Sequence, residues 1–251
     1  MAEALISRLP HGVFVSDIKK DRLAYLKKKY KVKIAKNNLE AFNLGQIVVL
    51  SVKPQQIAEV LGELGTQKTA KLIVSIAAGI PLGYLQKKLP GLPIVRAMPN
   101  NPCLVGAGIT ALAKGNSVKA DHFKKVAAIF KTVGEVIEIP EKWMDAVTGL
   151  SGSGPAYVYK VIEALVEGGV ASGLPKKAAA KLALQTVLGS AKTIKITGKS
   201  PEELGEMVTS PGGTTIEGLK LLDKNKFKKI LAQAVVVAAK KAKTLSQLWT
   251  L

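Results

Sequence analysis

The sequence predicts an α/β domain over residues 1–140, built on a parallel sheet covered by helices, followed by an all-α domain over residues 141–251. Three observations predict it. Short, nearly continuous β-branched runs such as IVVLS (Ile47–Ser51) have no polar face, which marks strands buried on both sides. Amphipathic segments separate these runs in a β-α-β alternation. After Pro140 the strand patterns stop, and long alanine-rich helical stretches take over.

The elements follow in order. Val13–Val15 reads as a short strand ending at Ser16-Asp17, and Asp21–Tyr30 as a helix. Ile47–Ser51 is the next strand, and Pro54 sits well at the first turn of the helix after it. Leu72–Ile76 is a further buried strand, followed by Ala77-Ala78-Gly79 and a helix from Pro81. Pro93–Met98 and Gly108–Ala113 continue the strand pattern, then come a helix over Lys119–Lys131 and a strand over Val136–Ile139. In the second half, Pro155–Ala171, Pro175–Thr197 and Lys226–Leu248 are helices apolar over more than one face. A helical domain this small has little interior to offer such faces, so they predict association between subunits.

Composition narrows the function. The chain of 251 residues carries a net charge of +19, yet all but three of its 37 basic residues are lysines, the exceptions being Arg8, Arg22 and Arg96. Sequence-specific nucleic-acid recognition leans on bidentate arginine and on aromatic stacking. Aromatic residues make up only 5% here and the lysines are spread along the chain, so they read as solvated surface and no specific nucleic-acid partner is expected. No apolar run approaches the roughly 20 residues that cross a bilayer, and the N-terminal MAEALISRL lacks a signal pattern. One cysteine, Cys103, excludes an internal disulfide, and with two histidines it leaves no cluster for a metal. A cytoplasmic protein without membrane partners is the expectation.

An α/β half followed by a helical half fits many dinucleotide enzymes, but the G-x-G-x-x-G fingerprint is absent. MAEALISRL looks like the first helix of such a Rossmann-like unit, with Ala2 as the third small residue of the fingerprint and the first strand missing. Asp17 then falls about 20 residues beyond the first glycine position, where an acid accepts hydrogen bonds from the adenosine ribose. The alternative is that Asp17 merely starts a turn or caps the next helix. Ser51-Val52-Lys53-Pro54, Ser75-Ile76-Ala77-Ala78-Gly79 and Arg96-Ala97-Met98-Pro99-Asn100 lie at the carboxyl ends of strands, where α/β sheets bind ligands. The most specific stretch is Met207–Leu219, in which a Ser-Pro-Gly-Gly turn leads into Thr-Thr and a helix. Its free backbone N–H groups suit a carboxylate or phosphate. A second small-residue turn spans Gly149–Pro155, and both turns can also be plain helix connections capped by Thr214 and Ser153.

VTSPGGTTIEGL, GLSGSGPAYVY, VKPQQ, VSIAAGI and RAMPNNP together resemble pyrroline-5-carboxylate reductase, from Ala2 to about Leu248. The resemblance implies reduction of the cyclic imine 1-pyrroline-5-carboxylate to L-proline, with NADPH or NADH as cofactor. It also implies a Rossmann domain and a helical domain that interlocks into dimers, often assembled into decamers. Carried over, Ser210, Gly212, Gly213, Thr214 and Thr215 bind the substrate, its carboxylate on Ser210 and on the N–H groups of Gly213 and Thr214. Thr215 is the catalytic hydroxyl at the imine nitrogen. Ser16, Asp17, Val52, Lys53, Pro54, Ala77, Ala78, Gly79, Met98, Pro99 and Asn100 line the cofactor. Asp17 favours NADH, while Ser16, Lys19 and Lys20 accommodate NADPH. The chain departs from the family at Asn101, where Thr is usual, and in the missing first strand and glycine turn. The expectation is a native protein longer by about 15 to 20 residues, one strand and turn. The alternative is a truncated, catalytically weak or silent homologue serving as an oligomerisation partner. A related dehydrogenase acting on a 3-hydroxy acid needs an early lysine in the helical domain, and Gly149–Tyr157 has none.

Overall fold

In a computed structural model, which describes residues 1–10, 12–65 and 70–249, the β-branched runs become strands and the segments between them become helices. The chain runs α1 (Ala2–Ile6), β1 (Phe14–Val15), α2 (Lys20–Tyr30), β2 (Lys33–Ile34), α3 (Asn38–Leu44), β3 (Ile47–Leu50), α4 (Ile57–Leu64), β4 (Leu72–Ser75), α5 (Leu82–Lys88), β5 (Ile94–Met98), β6 (Gly108–Lys114), α6 (Ala120–Lys131) and β7 (Gly134–Glu138). The helices α7 (Met144–Val147), α8 (Gly154–Ala171), α9 (Lys176–Thr197), α10 (Pro201–Met207), α11 (Thr214–Lys224) and α12 (Phe227–Gln247) complete it. The pair β2 and α3 goes beyond the sequence expectation. Asn37 accepts a hydrogen bond from the Glu40 N–H and so starts α3.

Strands β3-β4-β5-β6-β7 form one sheet, and β1-β2 a separate parallel pair. Among the described residues β1 pairs only with β2, and β3 only with β4. As an edge strand, β3 is half-buried up to Leu50, whereas β4 is buried throughout. One pair departs from the parallel expectation: β6 runs antiparallel to β5. Parallel strands need a crossover of a dozen or more residues. Only a short 3-10 turn over Asn101–Val105 joins these two, so the chain must double back.

Both faces of the main sheet carry core. On one, Leu50, Ile73, Ile94, Ala111 and Ala113 pack with Phe42, Ile57, Leu61, Leu64, Leu85 and Met144 from the covering helices. On the other, Leu72, Val74, Val95, Ala97 and Leu112 meet Ala4 and Leu5 of α1 and Val126 and Phe130 of α6. The period-2 alternation of each strand thus feeds two cores, which is why the strands read as unbroken apolar runs. Glu3 fixes α1 to α2, accepting hydrogen bonds from Arg22 (2.6 Å), Tyr30 (2.8 Å) and Tyr25 (2.9 Å).

Two units result. One comprises Met1–Ser153 with the chain from Val235 on, and the other Gly154–Ala234. Within the first, Gly149 lies so near α12 that an added Cβ would sit 2.6 Å from the Val235 carbonyl oxygen and 2.7 Å from the Ala239 nitrogen. Within the second, only Ala179 and Ala183 of α9 are buried apolar residues among those described, while Leu182, Leu184, Leu188, Ile196 and Leu221 stand in water. Apolar surface on that scale marks an interaction face. No helix among the described residues is long and apolar enough to cross a membrane.

Candidate active site

Register places three of the expected cofactor loops together. Leu50 pairs with Ser75, and Ser75 with Arg96, so Ser51, Ile76 and Ala97 begin level with one another at the carboxyl edge of three parallel strands. After β3, Val52 packs against the core and Lys53 is exposed in extended conformation, with Pro54 opening a 3-10 turn. After β4, Ala77 is buried, Ala78 exposed, and Gly79 takes a left-handed φ of +76° that a side chain would strain. The Ser75 hydroxyl accepts from the Ala77 N–H at 3.4 Å. After β5, Met98 and Asn100 are half-buried and Pro99 buried. The Asn100 side chain accepts from the Ile109 N–H at 3.0 Å and so fixes the start of β6. Small residues that leave backbone exposed beside a fixed turn suit close approach by a ribose and a nicotinamide ring. No glycine-rich strand-to-helix turn for a pyrophosphate lies among the described residues.

Ser16 and Asp17 follow β1 on the separate two-stranded sheet. Asp17 is exposed, and its carboxylate accepts from the Lys19 N–H at 2.9 Å, closing a turn ahead of α2. It therefore performs the turn role while keeping an exposed carboxylate.

In the helical unit, Ser210–Gly213 closes on itself through a hydrogen bond from the Gly213 N–H to the Ser210 carbonyl, 3.0 Å. Gly212 has a φ of +72°. At Gly213 an added Cβ would lie 2.4 Å from the Ser210 Oγ, so this hydroxyl sits directly over the backbone of the turn. Gly213, not Thr214, is the N-cap of α11, and no side chain caps it. The first N–H groups of α11 thus have neither an intrahelical partner nor a capping side chain. They point at the positive helix end, with the Thr215 side chain half-buried on the first turn. Such a constellation binds a carboxylate and offers one hydroxyl beside it.

The Gly149–Pro155 segment is not a turn. Thr148–Gly152 is a π-helical stretch continuous with α7, and Ser153 is the bend that ends it, its N–H donating to the Thr148 carbonyl at 2.9 Å. Its small residues serve close packing: a Cβ on Gly152 would lie 2.6 Å from the Met98 Cε. Sequence reasoning also passed over an ion pair between a buried arginine and a half-buried carboxylate. Arg96, 4% exposed, donates to Glu141 at 3.1 Å, and the same Glu141 oxygen accepts from the Leu82 N–H at 2.5 Å. The available signal was an arginine inside an apolar strand, which demands a carboxylate.

Residues 141–245 match the family model described as pyrroline-5-carboxylate reductase dimerisation. Residues 1–79 match that of NADP oxidoreductase, coenzyme F420-dependent. The chain is 46% identical to the pyrroline-5-carboxylate reductase of Synechocystis sp., over 98% of its own length and 95% of that protein's. Among solved structures, a pyrroline-5-carboxylate reductase from Coxiella burnetii superposes with a TM-score of 0.90 at 35% identity, covering 98% of this chain and 94% of that one. The Plasmodium falciparum pyrroline carboxylate reductase with NADP bound gives 0.88 at 34% identity, covering 98% and 92%.

Proposed function

The chain belongs to the pyrroline-5-carboxylate reductase family, and from that membership we propose that it reduces 1-pyrroline-5-carboxylate to L-proline with NADPH or NADH, the last step of proline biosynthesis. Identity to an enzyme of that name over nearly the whole chain carries this reading. A bound nicotinamide dinucleotide supplies the hydride. Val52, Lys53, Pro54, Ala77, Ala78, Gly79, Met98, Pro99 and Asn100 hold its ribose and nicotinamide, and Ser16 and Asp17 its adenosine end.

The chain's own residues bind and orient the imine. The Thr214 N–H and the Ser210 hydroxyl take the substrate carboxylate, while Gly213, whose own N–H is held by the Ser210 carbonyl where the sequence reading had it on the substrate, closes the turn that Gly212 makes possible. The Thr215 hydroxyl accepts the proton of the iminium nitrogen in a hydrogen bond, which fixes the ring. A protonated imine is already electrophilic, so hydride addition to its carbon yields the amine directly, and positioning is the main contribution. The chain divides functionally into a cofactor domain over 1–140 and a substrate and dimerisation domain over 141–251. A cytoplasmic location and decamers assembled from dimers are further parts of the proposal.

Replacing the substrate by 1-pyrroline, which lacks the carboxylate, tests the role of the loop. The expected result is a loss of kcat/KM of about 100-fold, the worth of two charge-assisted hydrogen bonds. Equal turnover of the two imines contradicts it. Dinucleotide binding with no imine reduction at all moves the chain to a catalytically silent dimerisation partner.

A further inference from the structure

Glu141 occupies a junction that the roles above leave unused. It is the first residue after Pro140, in a short 3-10 turn over Glu141–Trp143. One of its carboxylate oxygens takes two donors, the Leu82 backbone N–H at 2.5 Å and Arg96 Nη1 at 3.1 Å. Leu82 is the first residue of α5, which has no side-chain cap of its own from Pro81. Its N–H is one of the helix-end donors that need an outside acceptor. Glu141 provides one from 59 residues away.

Both donors stand at the base of a cofactor loop. Leu82 ends the segment that begins with Ala77, Ala78 and Gly79. Arg96 precedes Met98 by one turn of the strand pleat and shares its face, since Ile94 and Met98 pack into one core while Val95 and Ala97 pack into the other. Arg96 also lies opposite Ser75, whose hydroxyl holds the Ala77 N–H. A single carboxylate oxygen therefore ties the loop after β4 to the end of β5. Arg96 is nearly inaccessible to water, so losing this carboxylate leaves a buried guanidinium seeking another acceptor. The strand end and the helix start both shift when it finds one.

We propose that Glu141 is a positioning residue for the nicotinamide end of the cofactor site, setting the loop Ala77–Pro81 and the turn Met98–Asn100 in fixed relation. The inference rests on the reading of those two loops as dinucleotide contacts.

The test compares the wild-type protein with Glu141→Ala, Glu141→Gln and Arg96→Lys. NADPH Kd is titrated directly on folded protein well below each variant's melting temperature, and KM is measured separately for NADPH and for the imine. For Glu141→Ala, which removes the acceptor of both donors, the NADPH Kd and KM rise about tenfold. The KM for the imine stays within about twofold, because Ser210–Thr215 is untouched. Glu141→Gln keeps an oxygen acceptor for Leu82 and shows a smaller rise of about threefold. If Glu141→Ala does not fold, Glu141→Gln and Arg96→Lys decide the matter, each with a raised NADPH Kd. Lower melting temperatures with wild-type NADPH Kd in every folded variant overturn the proposal and leave Glu141 a structural brace. A wild-type protein that binds NADPH but reduces no imine overturns the functional reading instead, and the Kd comparison still judges Glu141.

Discussion

Gly213 stands where the proposed substrate loop closes under the Ser210 hydroxyl, and any side chain there meets that oxygen. The Ser210 hydroxyl can swing aside and the Ser210 carbonyl oxygen, 3.1 Å away, needs only a small shift, so Gly213→Ala keeps the fold but displaces the proposed ligand of the substrate carboxylate. The expected outcome is a KM for the imine raised about tenfold with a melting temperature near wild type. A fall in melting temperature with unchanged KM contradicts the assignment. Glu3 makes a different prediction. Hydrogen bonds from Tyr30 first, then from Arg22, hold its carboxyl at about 2, below the ordinary 4.5. A depressed carboxylate stabilises the fold above its unfolded pKa and loses that contribution as protons bind the unfolded chain more tightly. The tie between α1 and α2 is thus fully effective above pH 4.5 and weakens as pH falls from there toward 2. Melting temperatures across that window should show a steeper acid loss in the wild-type protein than in Glu3→Gln.

Element packing is strictest where Gly149 meets α12. The atoms in the way are backbone, the Val235 carbonyl and the Ala239 nitrogen, and they cannot turn aside as a side chain can. Gly149→Ala should cost about 1–3 kcal/mol in chemical denaturation, the range for overpacking. No loss of stability would contradict the close approach. The elements also show what the sequence made legible. The β-branched runs at Ile47–Leu50 and Leu72–Ser75 gave themselves away because the strands feed cores on both faces. Lys33–Ile34 did not, because a two-residue strand carries no period to read. The reversal of β6 was hidden in the length of a connection. Gly149–Gly152 read as a turn because small residues serve turns and helix contacts alike, and only the neighbouring α12 distinguishes them. The Ser210–Thr215 loop was legible because Ser-Pro-Gly-Gly states its own backbone geometry. The Arg96–Glu141 pair was not, since its partners lie 45 residues apart.

The whole molecule is incomplete as a single chain in its helical part. It carries the family's dimerisation domain, and α9 leaves Leu184 and Leu188 more than half exposed, one helical turn apart on one face. A second copy would cover such a stripe. Leu184→Asp with Leu188→Asp should convert a dimer to a monomer in sedimentation, because two carboxylates cannot be buried unpaired. A variant that still sediments as a dimer places the interface elsewhere. The charge of +19 favours solubility and salt-sensitive adhesion to polyanions. Imine reduction at the expense of a nicotinamide dinucleotide is tested in one assay. NADPH oxidation and L-proline formation are followed together after adding 1-pyrroline-5-carboxylate. Oxidation that depends on the imine, with one proline formed for each NADPH consumed, is the expected result. NADPH bound but not oxidised, or oxidised without proline, would contradict it.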